Sequence, residues 1–432
     1  MDAGPLLQIL LVFAGVLAAN RCRLPLGVAL LLGGVVLDLW GGSPPVAVVS
    51  HLRLAFLRPE LWLLVVNITL IVEVGHFMAT RENAQAVINA ARRWGGRHGG
   101  MASLVAIPAV IGLVPMPGGA LVSAPLVGDS LAGSSRPPAW KAAVNYWFRH
   151  VFEYWWPLYP VVIVTLSIFA VETWQFMAMQ IPLTVLSIAA GYVFLLRPHQ
   201  AELVGGALPE PPPAARLHEV VGPLCLIVLA TLLLPGLCRP WLPATMAGGV
   251  RQMAAMLVGL AGALIWIAFL ARHDAGRRMF GLVFTAKSAN IVVTLMGVVL
   301  FQNLLESSGL LPAASRHLAA SQVPVMAIIV LLPFVAGLVT GIAVGFAAVA
   351  FPLVAGFVAV SQGALTPLAV LGLAFCAGYV GMMLSPVHLC FVLTSEFFVV
   401  PWGRVYRHIL PCAGVVLGGG VLLHFLLRMA GW

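Results

Sequence analysis

Arg149, His150 and Glu153 stand together in an otherwise apolar stretch, NYWFRHVFEYWWP at 145–157. A charge at bilayer depth costs roughly 2.5–3.5 kcal/mol on insertion scales, so an ionisable residue there is read first as functional. Arg149 and Glu153 are four residues apart and share a helix face, where they can pair. An arginine in this position can clamp a carboxylate or phosphate with two parallel hydrogen bonds. Glu153 or His150 would then exchange a proton. The same spacing also suits a purely structural Arg–Glu pair. Trp147, Trp155 and Trp156 would equally fit a place nearer the cytoplasmic interface, which tryptophan prefers. Asn145 reads either as an amide ligand or as a helix–helix hydrogen bond.

Further candidates lie elsewhere in the chain. In GYVGMMLSPVHLCFVLT at 378–394, Ser385 is followed by Pro386, and His388 comes two residues later. Pro386 cannot donate its backbone nitrogen, which frees the carbonyl near Met382 for a cation or a substrate hydroxyl. His388 has the side chain that titrates nearest neutral pH, although a lone histidine in a span is also a common packing group. Glu73 lies in LLVVNITLIVEVGHF with no lysine or arginine within a turn, although Asn67 and His76 are near in sequence. A carboxyl in apolar surroundings holds its proton more tightly, which suits a proton-coupling site or a neutral hydrogen bond to a neighbouring helix.

These residues need elements to hold them, and the chain writes those elements unusually. Gly112 to Val127 reads GLVPMPGGALVSAPLV. Pro115 and Pro117 break a helix, and Gly118 and Gly119 let the backbone turn. The apolar arms on either side are too short to span a hydrocarbon core that takes about 20 helical residues. Two short arms on a Pro/Gly tip predict a re-entrant hairpin at about 101–127. Broken backbone at membrane depth is tolerated only where protein or a watery cavity satisfies it.

Shifted by 225 residues, the pattern returns: Pro108 on Pro333, Gly112-Leu113-Val114 on Gly337-Leu338-Val339, and Thr69-Leu70 on Thr294-Leu295. After a two-residue insertion, Pro125-Leu126-Val127 matches Pro352-Leu353-Val354. A second hairpin is therefore predicted at about 322–356, with Thr340, Gly341 and Gly345 at its tip. Paired interrupted segments in two halves point to a transporter binding site. Gly118, Gly119, Ser123, Thr340, Gly341 and Gly345 offer bare backbone and hydroxyls. Each second arm begins with a helix N-terminus, which favours an anion. Close packing of small residues is the plainer account of the glycines.

The 432 residues are 61% hydrophobic and 9% charged. This composition predicts an all-α polytopic membrane protein. The apolar runs do not alternate, which argues against a β-barrel. The N-terminal run lacks a basic region before it and is read as the first span. Spans are expected at 5–20, 25–40, 60–79, 142–170 (broken) and 174–196. Residues 197–218 (RPHQAELVGGALPEPPPAARLH) form a polar, Pro-rich cytoplasmic linker. The second half gives 219–236, 245–271, 280–304, 366–394 (broken) and 408–429. Five crossings per half place the second repeat, 219–432, upside down relative to the first, 1–196. With the 80–100 loop inside, 16 Lys/Arg fall on cytoplasmic segments and six outside. That bias supports ten crossings with both termini outside. The net charge of +9 is read as orientation rather than nucleic-acid binding. Cys22, Cys225, Cys238, Cys376, Cys390 and Cys412 show no metal-ligand spacing and are read as packing residues, so no metal or cofactor is expected. No HExxH, Walker A, GxSxG or Rossmann pattern occurs, which points away from an enzyme.

PMPGGALVSAPLV at 115–127, NYWFRHVFEYWWPLYP at 145–160 and the 378–394 motif together resemble a prokaryotic membrane family known as domain of unknown function 401. The resemblance covers essentially the whole chain. That family is grouped with the ion-transporter superfamily of gluconate, citrate, dicarboxylate and sodium/proton carriers. The resemblance implies two inverted repeats, each with a re-entrant hairpin and an interrupted helix, and elevator-like movement in a prokaryotic cytoplasmic (inner) membrane. It also carries over a homodimer. The Ser-Asn-Thr signatures that bind sodium and carboxylate in the dicarboxylate carriers are absent from the tips here.

The leading expectation is a secondary transporter of a small organic anion coupled to protons. Its substrate site would be drawn from Pro115, Pro117, Gly118, Gly119, Ser123, Asn145, Arg149, Thr340, Gly341, Gly345, Ser385 and His388, with Glu73, His150 and Glu153 for the proton. The alternative is a sodium/proton or other cation antiporter built on Glu73, Glu153 and tip carbonyls. A third class is a non-transport membrane protein, in which the repeat is architecture alone.

Overall fold

The computed structural model describes residues 4–78, 99–113, 119–131, 136–199, 217–241, 243, 246, 248–270, 286–314, 325–361, 363 and 365–431. Every regular element among them is helical. In the first half these are α1 (Gly4–Arg21), α2 (Leu26–Trp40), α3 (Pro45–Leu57), α4 (Pro59–Met78), α5 (Gly99–Gly112), α6 (Ala120–Ser130), α7 (Pro138–Arg149), α8 (Pro160–Phe169) and α9 (Thr173–Gly191). The second half holds α10 (Leu217–Leu237), α11 (Gly248–Leu270), α12 (Ala286–Ser307), α13 (Val325–Thr340), α14 (Ala343–Val360), α15 (Pro367–Met383), α16 (Leu389–Phe397) and α17 (Trp402–Met429). Most of the 197–218 linker lies outside the described residues.

Proline writes several of the boundaries. α3, α7, α8 and α15 each carry proline in their first turn, where the missing N–H costs nothing. α8 stops at Ala170, whose φ of 52° is left-handed. The predicted broken segments appear as α7/α8 and α15/α16. The predicted hairpins correspond to α5/α6 and α13/α14, and each pair of arms packs together.

The helix α3 is an addition to the predicted spans. Its 13 residues include His51 and Arg53, so its apolar run is too short and too polar for a crossing. It joins α4 at a 52° bend. α1, the helix from Thr173 to His199, α11 and α17 are long and apolar enough to cross a membrane. The chain is a multi-pass α-helical membrane protein.

The packing is reciprocal between halves. α2 lies on α12, and α4 lies on α11. α6 packs on α16, and α14 packs on α8. α1, α2, α4, α10, α11 and α12 form one group of contacts; α5–α9 with α13–α17 form the other. The second group carries the ionisable cluster.

Candidate functional site

The two interrupted helices meet where their backbones open. α7 ends at Arg149 and α8 begins at Pro160; α15 ends at Met383 and α16 begins at Leu389. The open carbonyls find partners from within the protein, as backbone breaks at membrane depth require. His150 Nδ1 lies 2.6 Å from the Tyr146 carbonyl. The Thr184 hydroxyl donates to the Val151 carbonyl at 2.7 Å. In the second break, the Tyr146 and Tyr406 hydroxyls donate to the Met383 and Leu384 carbonyls at 2.9 and 3.1 Å. The Met382 carbonyl, read from sequence as freed by Pro386, instead accepts the Ser385 backbone N–H at 3.0 Å. The chain turns back on itself after α15, so the neighbouring amide takes the place that Pro386 vacates.

Arg149, His150 and Glu153 are buried together. Arg149 Nη1 donates to Glu153 Oε1 at 3.3 Å. The Tyr379 hydroxyl is 2.7 Å from the His150 carbonyl and 3.3 Å from Glu153 Oε2. Tyr159 donates to the Gly112 carbonyl at the end of the first hairpin arm. Its hydroxyl also lies within side-chain hydrogen-bond reach of Arg149 and Glu153. The first hairpin presses on the same residue: a Cβ at Gly112 would strike the Arg149 carbonyl, and one at Gly119 would strike its guanidinium. Gly119 is the N-cap of α6. The guanidinium therefore stands against the positive end of a helix, and an anion that reached both would be favoured by each.

The second hairpin reaches the same crossing. Gly341 has φ +65°, a left-handed turn residue between α13 and α14. Its carbonyl lies 2.6 Å from His388 Nδ1. Ser385 donates to the Leu338 carbonyl at 2.7 Å, fastening the break to the hairpin. His388 Nε2 is 3.1 Å from His150 Nε2. The Cys390 thiol joins these two rings, with the three ligand atoms within 4.8 Å of one another.

Seven of the fifteen sequence candidates thus converge: Gly119, Arg149, His150, Glu153, Gly341, Ser385 and His388. Others make structural bonds. Asn145 donates to Thr394 Oγ1 at 3.2 Å, joining α7 to α16. Ser123 and Thr340 donate to carbonyls of their own helices, at 3.5 Å and 2.7 Å. Gly345 packs against Thr340. Glu73 is buried on α4, which packs on α11 and α12, whereas Arg149 is held by the first hairpin. Pro115, Pro117 and Gly118 lie outside the described residues.

Of the tryptophans in the 145–157 stretch, Trp147 is buried and Trp155 and Trp156 are half-buried. Trp140 and Trp147 are buried and donate to the Leu195 and Ser187 carbonyls at 2.7 and 2.9 Å. Tyr146, Tyr159, Tyr379 and Cys390 were not singled out from sequence. The only signal for Tyr159 and Cys390 was proximity: one closes the WWPLYP motif and the other follows His388 by two residues.

A family model described as "Protein of unknown function (DUF401)" matches residues 48–205 and 248–427. The chain belongs to the DUF401 family. Both interrupted helices and the described parts of both hairpins of this DUF401 chain lie within the matched residues. No curated protein matches it in sequence. Among solved structures it is similar to the Alcanivorax borkumensis YdaH transporter, whose crystal structure is described as revealing an unusual topology. The similarity has a TM-score of 0.57 at 16% identity and covers 89% of this chain and 88% of that one. At that identity the two share a fold.

Proposed function

We propose that this DUF401 protein is a secondary transporter that carries a small organic anion across the membrane together with a proton. The observation that carries this reading is the convergence on one point of the Arg149 guanidinium and the first turn of α6. Both favour negative charge, and Glu153 supplies only one carboxylate. A carboxylate or phosphate entering beside Glu153 would meet both the planar guanidinium and the start of α6.

Charge balance then asks for a co-ion. Arg149 and Glu153 together are neutral, so a bound monoanion leaves a net negative charge in a place where isolated charge is expensive. A proton entering with the anion restores neutrality. The similarity to a transporter fold supports the transport class. The reciprocal packing of the halves, α2 on α12 with α4 on α11 and α6 on α16 with α14 on α8, supports an inverted repeat. In this reading the group of helices that holds Arg149 moves against the group of α1, α2, α4 and α10–α12, as in an elevator.

The test is flux in proteoliposomes. Uptake of one class of labelled organic anion is expected to follow an inward proton gradient and to fall in Arg149→Lys, which keeps the charge and loses the planar fork. Cation-dependent proton flux without any organic solute would favour a sodium/proton antiporter instead.

A further inference from the structure

Two histidines from opposite halves of the chain face each other at the crossing, with Nε2 to Nε2 at 3.1 Å. The other nitrogen of each ring is committed. His150 Nδ1 is 2.6 Å from the Tyr146 carbonyl, and His388 Nδ1 is 2.6 Å from the Gly341 carbonyl. A carbonyl only accepts, so each Nδ1 carries the proton and donates it. Both neutral rings therefore present a bare lone pair at Nε2, and the two are in direct contact. Lone pairs in such contact repel unless a proton or a metal ion joins them, and the Cys390 thiol lies within hydrogen-bond reach of His150.

A third donor completes the set. The ligand atoms of His150, His388 and Cys390 all lie within 4.8 Å of one another, and all three residues are buried. Metal–nitrogen bonds of about 2.0–2.1 Å and metal–sulfur bonds of about 2.3 Å in a tetrahedral site set ligand atoms about 3.3–3.6 Å apart. The histidine pair is close to that spacing already, and the thiol has a short approach to make. The Nδ1–H bonds to backbone carbonyls match the outer partners that orient metal-binding histidines. Glu153 Oε1, 4.0 Å from His150 Nε2, offsets the charge of Arg149 beside the site.

We propose that His150, His388 and Cys390 bind a borderline-to-soft transition ion of the zinc class. Two imidazoles and a thiolate suit such an ion, and three protein ligands leave a fourth position open to water or solute. The site joins the break after α7 to the break before α16 and, through Gly341, to the tip of the second hairpin. A bound ion would hold those three pieces in one arrangement. The proposal does not depend on the anion reading.

The experiment titrates Co2+ into purified, chelator-stripped full-length protein and follows the visible and near-ultraviolet spectrum, with Zn2+ calorimetry for stoichiometry. One ion per chain is expected, with intense tetrahedral d–d bands and a sulfur-to-cobalt charge-transfer band. Cys390→Ser should abolish the charge-transfer band. His388→Asn should weaken binding by more than the roughly 10–100-fold that loss of an outer partner costs. Thermal unfolding of the metal-free variants checks that both fold. Absence of saturable one-to-one binding in the unmodified protein would overturn the proposal. So would a charge-transfer band that survives Cys390→Ser, since one of the five other cysteines would then hold the ion.

Discussion

Arg149 is the residue on which the account rests, and its surroundings set its chemistry. Its guanidinium meets Glu153, lies within reach of Tyr159 and stands against the start of α6. Breaking a buried ion pair by removing one partner typically costs 3–5 kcal/mol, because the other charge is left uncompensated. Glu153→Gln is therefore expected to lower the stability of the ligand-free protein by about 3–5 kcal/mol. It should also tighten anion binding, because the resident carboxylate no longer competes. Unfolding in denaturant, with and without anion, checks both. The sequence made Arg149 and Glu153 legible, because charge in an apolar run is rare and their spacing fixes a shared face. It could not pair His150 with His388. Those residues are 238 apart in sequence, and only the crossing of two broken helices brings them together.

The breaks and hairpin tips determine what these residues can touch. Gly341 needs its left-handed φ of +65°, and a side chain there would press on the backbone of Val387 and His388. An L-residue in that conformation costs roughly 1–2 kcal/mol, so Gly341→Ala is expected to lower stability by at least that much, read as the shift of a denaturant midpoint. Gly119→Ala acts differently. Its added methyl meets the flexible guanidinium rather than backbone, so anion affinity should fall further than stability. Ligand-dependent thermal shifts separate the two effects. The hairpins and broken helices were legible because proline and glycine interrupt apolar runs in visible places. The fate of the freed carbonyls was not legible. Met382 is closed by the next turn of backbone and Met383 by Tyr146 from the other half, and neither partner is marked by local pattern. α3 escaped notice because its 13 residues mix apolar side chains with His51 and Arg53.

At the scale of the molecule, two groups of helices pack within themselves and meet along fewer elements, including α1 with α13, α12 with α14 and α4 with α8. If transport slides one group past the other, a cysteine cross-link between α1 and α13 should stop anion flux. A cross-link between α2 and α12, within one group, should leave it intact. The offset of 225 residues made the proposed duplication visible in sequence, because it sets Gly112, the last residue of α5, against Gly337 in the last turn of α13. Which helices gather into which group was not visible, since every span has similar composition. The central claim is that Arg149 holds an organic anion, and ligand-dependent stability tests it most directly. Purified protein is screened against carboxylates, sugar acids and phosphonates, alongside Arg149→Lys. One anion class is expected to raise unfolding stability by about 2.7 kcal/mol at a hundredfold excess over Kd, with that gain lost in the variant. An equal gain in Arg149→Lys, or no gain from any anion beside a clear response to sodium or lithium, would contradict the account.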